Sequence, residues 1–146
     1  MSIAKNLKKI TALIPKEVTL VAVSKTKPIS DIMEAYNSGQ KIFGENRIQE
    51  MATKYEALPK DIEWHMIGHI QRNKVKYMAA FVSLIHAVDS LRLLNEINKQ
   101  ALKSNRVINC LLQIKIASEE SKFGLTEDGA KALINLEEFK SFQNIK

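Results

Sequence analysis

The stretch "IEWHMIGHIQRNKVKYMAAFVSLIHAV", residues 62–88, decides the fold. Residues 62–68 and 81–88 read as short apolar strands, while the segment from about Gln71 to Ala80 reads as a helix. Two strands separated by a helical crossover run parallel, because a tight hairpin joins only antiparallel neighbours. The fold question is whether this unit repeats.

It does, in both directions. Upstream, Ile3, Leu7, Ile10 and Leu13 share one helical face, and "EVTLVAVS" (17–24) is rich in β-branched residues, as a strand should be. Ile29 to Ser38 reads as a helix with Gly39 at its C-terminal end, and "KIFG" (41–44) as a short strand. A helix from about Arg47 to Leu58 is closed by Pro59. Downstream, residues 89–105 form an amphipathic helix capped by Asp89 or Ser90, and "RVINCLLQIKIA" (106–117) is the most hydrophobic strand. A last helix runs from Thr126 to about Lys140, with Glu127 and Asp128 at its positive end. Five strand–helix pairs thus follow an initial helix.

Two architectures satisfy this alternation: an open doubly wound sheet and a (β/α)8 barrel. The Gly-x-Gly-x-x-Gly phosphate fingerprint that would favour the first is absent among the five glycines. A complete barrel takes about 250 residues, so five strands in 146 residues would be part of one; either way the chain reads as one α/β domain over 1–146.

Composition bounds the function. With 45% apolar and 26% charged residues, the chain suits a globular unit with a core rather than a disordered one. No run reaches the roughly 18 apolar residues of a membrane span, and the opening "MSIAKNLKKI" lacks a signal-peptide pattern, so a cytoplasmic protein without membrane contact is expected. Cys110 is the only cysteine, which excludes an internal disulfide and a cysteine metal cluster, and it reads as a buried filler. The net charge of +6 favours anionic partners, but the lysines are scattered as solvated helix faces are. A basic nucleic-acid module would gather them on one surface with free aromatics; aromatics are only 6% and most sit in apolar patterns, so no nucleic acid is expected.

Chemistry is expected where the first strand ends. Val21, Val23 and Lys25 alternate onto one face, which puts Lys25 at the C-terminal end of strand one, the end at which barrel enzymes keep their active groups. Pro28 biases Lys27 towards an extended conformation, so Lys27 is expected to share that face. A second ammonium and partial burial would disfavour a charged Lys25, and a neutral amine attacks aldehydes. The alternative is a pair of snorkelling surface lysines.

"VAVSKTKP" (21–28), "FGENRIQE" (43–50), "EWHMIGHIQRNK" (63–74), "IHAVDS" (85–90) and "LLQIKIASEESKFG" (111–124) together resemble the pyridoxal 5'-phosphate homeostasis proteins, single-domain relatives of the alanine racemase barrel. The resemblance implies a barrel holding pyridoxal phosphate as a Schiff base on Lys25, in a carrier or regulator of the vitamin B6 pool without catalytic turnover. It also implies that pyridoxal-phosphate-dependent enzymes are candidate partners. Asn46 would stand beside the pyridine ring, although Asn46 with Gln49 three residues later also fits a reciprocal helix cap. His69, after strand three, would line the pocket mouth, and Lys122 would sit on a loop at the same face. His65 and His69 have the i, i+4 spacing of a helical zinc site, but Gly68 and the strand pattern argue against a helix, and no metal is expected. His65 reads as a satisfied core residue, Trp64 as packed outward against a helix, and Asp89 beyond His86 as a helix cap.

In this reading the chain covers about the first two-thirds of a family member and stops at "FQNIK", where strand six would begin. The loops after strands seven and eight, which usually hold the phosphate in such barrels, lie outside it. Weak cofactor binding, and self-association through open edges at strands one and five, are the expected consequences. A racemase would use the same lysine with a second acid or base on the opposite face of the cofactor. Tyr36, Tyr55 and Tyr77 fall in or near helices and offer no convincing candidate.

Overall fold

A computed structural model describes residues 2–118 and 123–146. The order is α1 (Ile3–Leu13), β1 (Ala22–Val23), α2 (Ile29–Asn37), β2 (Ile42–Glu45), α3 (Ile48–Ala57) and β3 (Glu63–Met66). A 3₁₀ segment (Arg72–Tyr77) then leads to β4 (Leu84–Val88), α4 (Leu91–Lys103), β5 (Asn109–Leu112), α5 (Glu127–Ile134) and α6 (Glu137–Ser141). The five strands are parallel and lie in sequence order, β1-β2-β3-β4-β5. Unbroken order is the signature of a barrel wall; a doubly wound sheet reverses its order at a switch point. Of the two architectures the alternation allowed, the partial barrel implied by the resemblance is the observed fold.

Register sorts the side chains into two faces. Ala22, Phe43 and Trp64 are aligned, as are Met66 and Ile85 one row on. Phe43, Trp64, Met66 and Ile85 are at most 1% exposed and pack with Ile32, Met51 and Ile97 from the helices. The alternate row is Val23, Gly44, His65, Leu84 and Asn109. This row faces the barrel interior, where Val23 is 54% exposed. One face of the sheet is therefore saturated by helices and the other is open.

Local sequence explains most boundaries. Ser2, Ser90 and Thr126 cap α1, α4 and α5, each hydroxyl accepting from the backbone N–H three residues on. Gly39 ends α2 with a φ of +104°.

Other boundaries differ from expectation. The first strand is far shorter than 17–24, because a strand exists only where it pairs, and only Ala22 and Val23 align with β2. The helix expected over 71–80 is a six-residue 3₁₀ segment, and the last helix is two, broken at Asn135 and Leu136. The cap of α4 is Ser90, not Asp89. The cap position of α3 is Arg47, with no side-chain hydrogen bond, so the reciprocal Asn46–Gln49 cap does not form. Strand six does begin within the chain: Ile145 pairs in parallel with Ile108, and Cys110 N donates to Lys146 O at 2.7 Å. Residues 144–146 thereby cover the start of the β5 edge expected to be open.

Candidate functional site

β1 runs into a tight turn at the carboxyl rim of the sheet. Ser24 N donates to Gly44 O at 3.0 Å, and Lys27 N returns to Ser24 O at 3.1 Å, closing the turn over Lys25 and Thr26. Thr26 holds a φ of +62°, a left-handed conformation disfavoured for a β-branched residue. Lys25 is exposed and occupies the first position inside this turn, two residues beyond the end of β1. The left-handed Thr26 then breaks the alternation. Lys27 lines a groove with Ile3, Val23, Asp31 and Ala35, and Lys25 is not part of that lining.

Asn46 and His69 meet at the carboxyl ends of β2 and β3. They line one cleft of about 380 Å³, together with Arg47, Gln49, Gln71 and Lys74. Gly68 is what lets these two ends come together, since a Cβ there would lie 2.5 Å from Asn46 O. The His69 ring stacks on Phe123, centroids 3.6 Å apart and planes within 11°, bridging the end of β3 to the segment after β5. Lys25 stands at the same rim but outside the lining of this cleft. Lys122 lies outside the described residues.

Inside the wall, His65 Nδ1 and His86 Nε2 are 2.9 Å apart. One ring donates and the other accepts. Burial, with the neighbouring His86 second, pushes His65 down to about 4, and burial lowers His86 as well, so the pair is neutral at pH 7. β3 ends at Met66, which leaves His65 inside the strand and His69 beyond it, so their spacing does not place them on one helical face. His65 is a satisfied buried residue, as expected, but its partner His86 was not foreseen.

On the helix side of the same rim lies a buried ionic cluster. Lys54, 6% exposed on α3, donates to Ser24 O at 2.7 Å, to Glu50 Oε2 at 2.7 Å and to Glu45 Oε1. Ser24 Oγ donates to the same Glu45 oxygen at 2.9 Å, and Thr26 N donates to Glu50 Oε2 at 2.7 Å. Burial raises the Glu45 carboxyl above its ordinary range, and its Oε2 has no partner among the described residues. Lys54 and then the Thr26 N–H hold Glu50 below its ordinary range. The two carboxyls on Lys54 are thus shifted in opposite directions, Glu45 up by burial and Glu50 down by its hydrogen bonds. Sequence reasoning passed over all three residues; the only signal was the i, i+4 spacing of Glu50 and Lys54.

Five parallel strands in sequence order, with helices on one face, define a protein of the β/α-barrel class. A family profile described as "Alanine racemase, N-terminal domain" matches residues 1–145, and the chain belongs to that family. It is 47% identical over 115 residues to the pyridoxal phosphate homeostasis protein of Aquifex aeolicus, a match covering 78% of this chain and 50% of that one. With the same-named protein of Synechocystis it is 40% identical over 139 residues, covering 94% and 63%. PipY of Synechococcus elongatus superposes on 99% of this chain and 67% of its own with a TM-score of 0.92 and 33% identity, and has also been solved with PLP bound. The resemblance seen in the five sequence blocks is thus borne out. The chain spans half to about two-thirds of the length of these relatives.

Proposed function

We propose that the chain binds pyridoxal 5'-phosphate at the carboxyl rim of its sheet, holds it as a Schiff base on Lys25, and serves vitamin B6 homeostasis without catalytic turnover. The observation that carries this reading is the exposed Lys25 at the carboxyl rim of the sheet, in a turn hydrogen-bonded on both sides. Similarity to pyridoxal phosphate homeostasis proteins and to PipY, a protein solved with PLP bound, supports it.

The residues fit the cofactor chemically. Pyridoxal phosphate supplies an aldehyde when bound, and Lys25 supplies an accessible nitrogen. Asn46 and His69 bring amide and imidazole groups to the adjoining cleft, and Arg47 and Lys74 make that cleft positive, which favours an anionic ligand. The racemase alternative needs an acid or base opposite Lys25. The Tyr36 hydroxyl is engaged by Asp61 Oδ1 at 2.6 Å ahead of β3, at the far end of the sheet, and Tyr55 stacks on Phe81. Tyr77 lies on the 3₁₀ segment. This distribution favours a carrier or regulator over an enzyme.

Borohydride reduction in the presence of pyridoxal phosphate, followed by peptide mapping, tests the reading. One dominant adduct on Lys25, lost in Lys25→Ala, is expected; adducts spread over exposed lysines with no preference for Lys25 would overturn it. No alanine racemisation is expected in parallel. We further place the protein in the cytoplasm as a single domain over 1–146, with pyridoxal-phosphate-dependent enzymes as donors or acceptors. Among the described residues no helix is long and apolar enough to cross a membrane. Exposed Val23 and Leu111 on the strands make self-association the expected behaviour at high concentration, which sedimentation would detect.

A further inference from the structure

We propose that Glu50 and Lys54 of α3 are positioning residues for Lys25, clamping the backbone on both sides of it so that its amine is presented to the barrel interior. The inference rests on the reading of Lys25 as the cofactor lysine, and it adds a device on the opposite face of the sheet. The peptide units flanking Lys25 are held by different charged groups. Before it, Ser24 O accepts from Lys54 Nζ at 2.7 Å; after it, Thr26 N donates to Glu50 Oε2 at 2.7 Å. Lys54 and Glu50 are bonded to each other at 2.7 Å, one helical turn apart. Two ends of one salt bridge thus grip two ends of one short turn.

The turn needs gripping. Thr26 sits at a φ of +62°, where a Cβ crowds the backbone and a glycine would be at ease. Left to itself, a β-branched residue relaxes to negative φ, which would reshape the turn that carries Lys25. Hydrogen bonds to charged groups are the stronger kind, and here they bear on the two peptides that set the direction of Lys25. Glu45 completes the clamp from below, since its Oε1 accepts from both Lys54 and Ser24 Oγ. Lys54 is 6% exposed and Glu45 wholly buried, so neither is a solvated surface charge.

The test centres on Glu50, whose side chain is 27% exposed and can be replaced without opening the core. Three variants of the full 146-residue chain serve: Glu50→Ala, Glu50→Gln, and Glu50→Ala combined with Thr26→Gly. Two readouts apply, the rate of borohydride-trapped pyridoxal phosphate labelling at Lys25 by peptide mapping, and amide hydrogen exchange at Thr26 by NMR. Glu50→Ala should slow labelling and speed Thr26 exchange by about tenfold each, the change that follows from losing one hydrogen bond to a charged group. Glu50→Gln, which still offers an acceptor oxygen, should lose less. The added Thr26→Gly should recover labelling, because glycine adopts the left-handed turn unaided; a loss caused by general destabilisation would not be recovered. Wild-type labelling and wild-type Thr26 protection in Glu50→Ala, or a double variant no better than the single, would overturn the proposal. If the parent chain fails to label at Lys25, the cofactor reading falls. The exchange arm, which needs no cofactor, then decides the clamp by itself.

Discussion

Lowering the pH from 7.5 to 5 should destabilise the fold chiefly through the buried imidazole of His65, with its lowered partner His86 acting in the same direction. His65 is 7% exposed and is pushed down to about 4, against an ordinary 6.5. A histidine whose folded value is depressed stabilises the fold above its unfolded value, and that stabilisation fades as pH falls, because the unfolded chain takes up a proton the native ring refuses. The window therefore opens near pH 6.5 and closes near pH 4. At 1.36 kcal/mol for each decade of proton affinity, the loss by pH 5 is about 2 kcal/mol. Urea unfolding at the two pH values, in the parent and in His65→Gln, isolates the effect. Glutamine keeps a hydrogen-bonding group facing His86 but cannot titrate. Glu45 acts with the opposite sign, since its folded value is raised and its contribution fades as pH rises; it is common to both proteins and cancels in the difference. Glu50 is lowered, so its effect belongs to pH values below the ordinary carboxylate range. The parent should lose about 2 kcal/mol more than the variant between pH 7.5 and 5. Parallel pH profiles would refute the argument, as would a His65 proton resonance titrating near 6.5.

Three further outcomes follow from the same geometry. Gly68→Ala places a Cβ 2.5 Å from Asn46 O, so it should destabilise the chain by about 1–3 kcal/mol in urea unfolding and shift the Asn46 amide resonance. Arg106 donates to Ala79 O at 2.7 Å and Val82 O at 2.9 Å, tying the segment before β4 to that before β5; Arg106→Met should cost about 2–4 kcal/mol in the same assay. Burial pushes the Cys110 thiol up to about 12, so alkylation at pH 8 should be slow in the native chain and become fast in urea, as followed by mass spectrometry.

The architecture was legible because alternation of strand and helix is a property of the whole chain, and small errors in each element do not disturb it. Individual boundaries were less legible where pairing partners decide them. "EVTLVAVS" has strand composition throughout, yet only two of its residues find a ladder partner. Residues 71–80 keep a helical apolar pattern, but the short span between β3 and β4 is crossed by a 3₁₀ segment. The candidate site divides in the same way. Asn46 and His69 were placed by the strands that precede them, and both line one cleft at those strand ends. The left-handed turn at Thr26 was not legible, because neither Thr26 nor Pro28 announces it.

The most instructive contrast is between two lysines. Lys25 and Lys54 are chemically identical; along the chain Lys25 stands out at a strand end, whereas Lys54 reads as one more charge on a helix. In the fold Lys25 is exposed, and Lys54 is buried against two carboxylates and a carbonyl. An ammonium taken out of water is tolerated only where oxygens replace its hydration, and those of Ser24, Glu45 and Glu50 do so for Lys54. These oxygens lie 30, 9 and 4 residues from Lys54 in sequence, a set that no local pattern could assemble. In the proposed clamp an exposed lysine is thus steadied by a buried one: three oxygens fix Lys54, and one of them belongs to the peptide that precedes Lys25, which itself stays accessible.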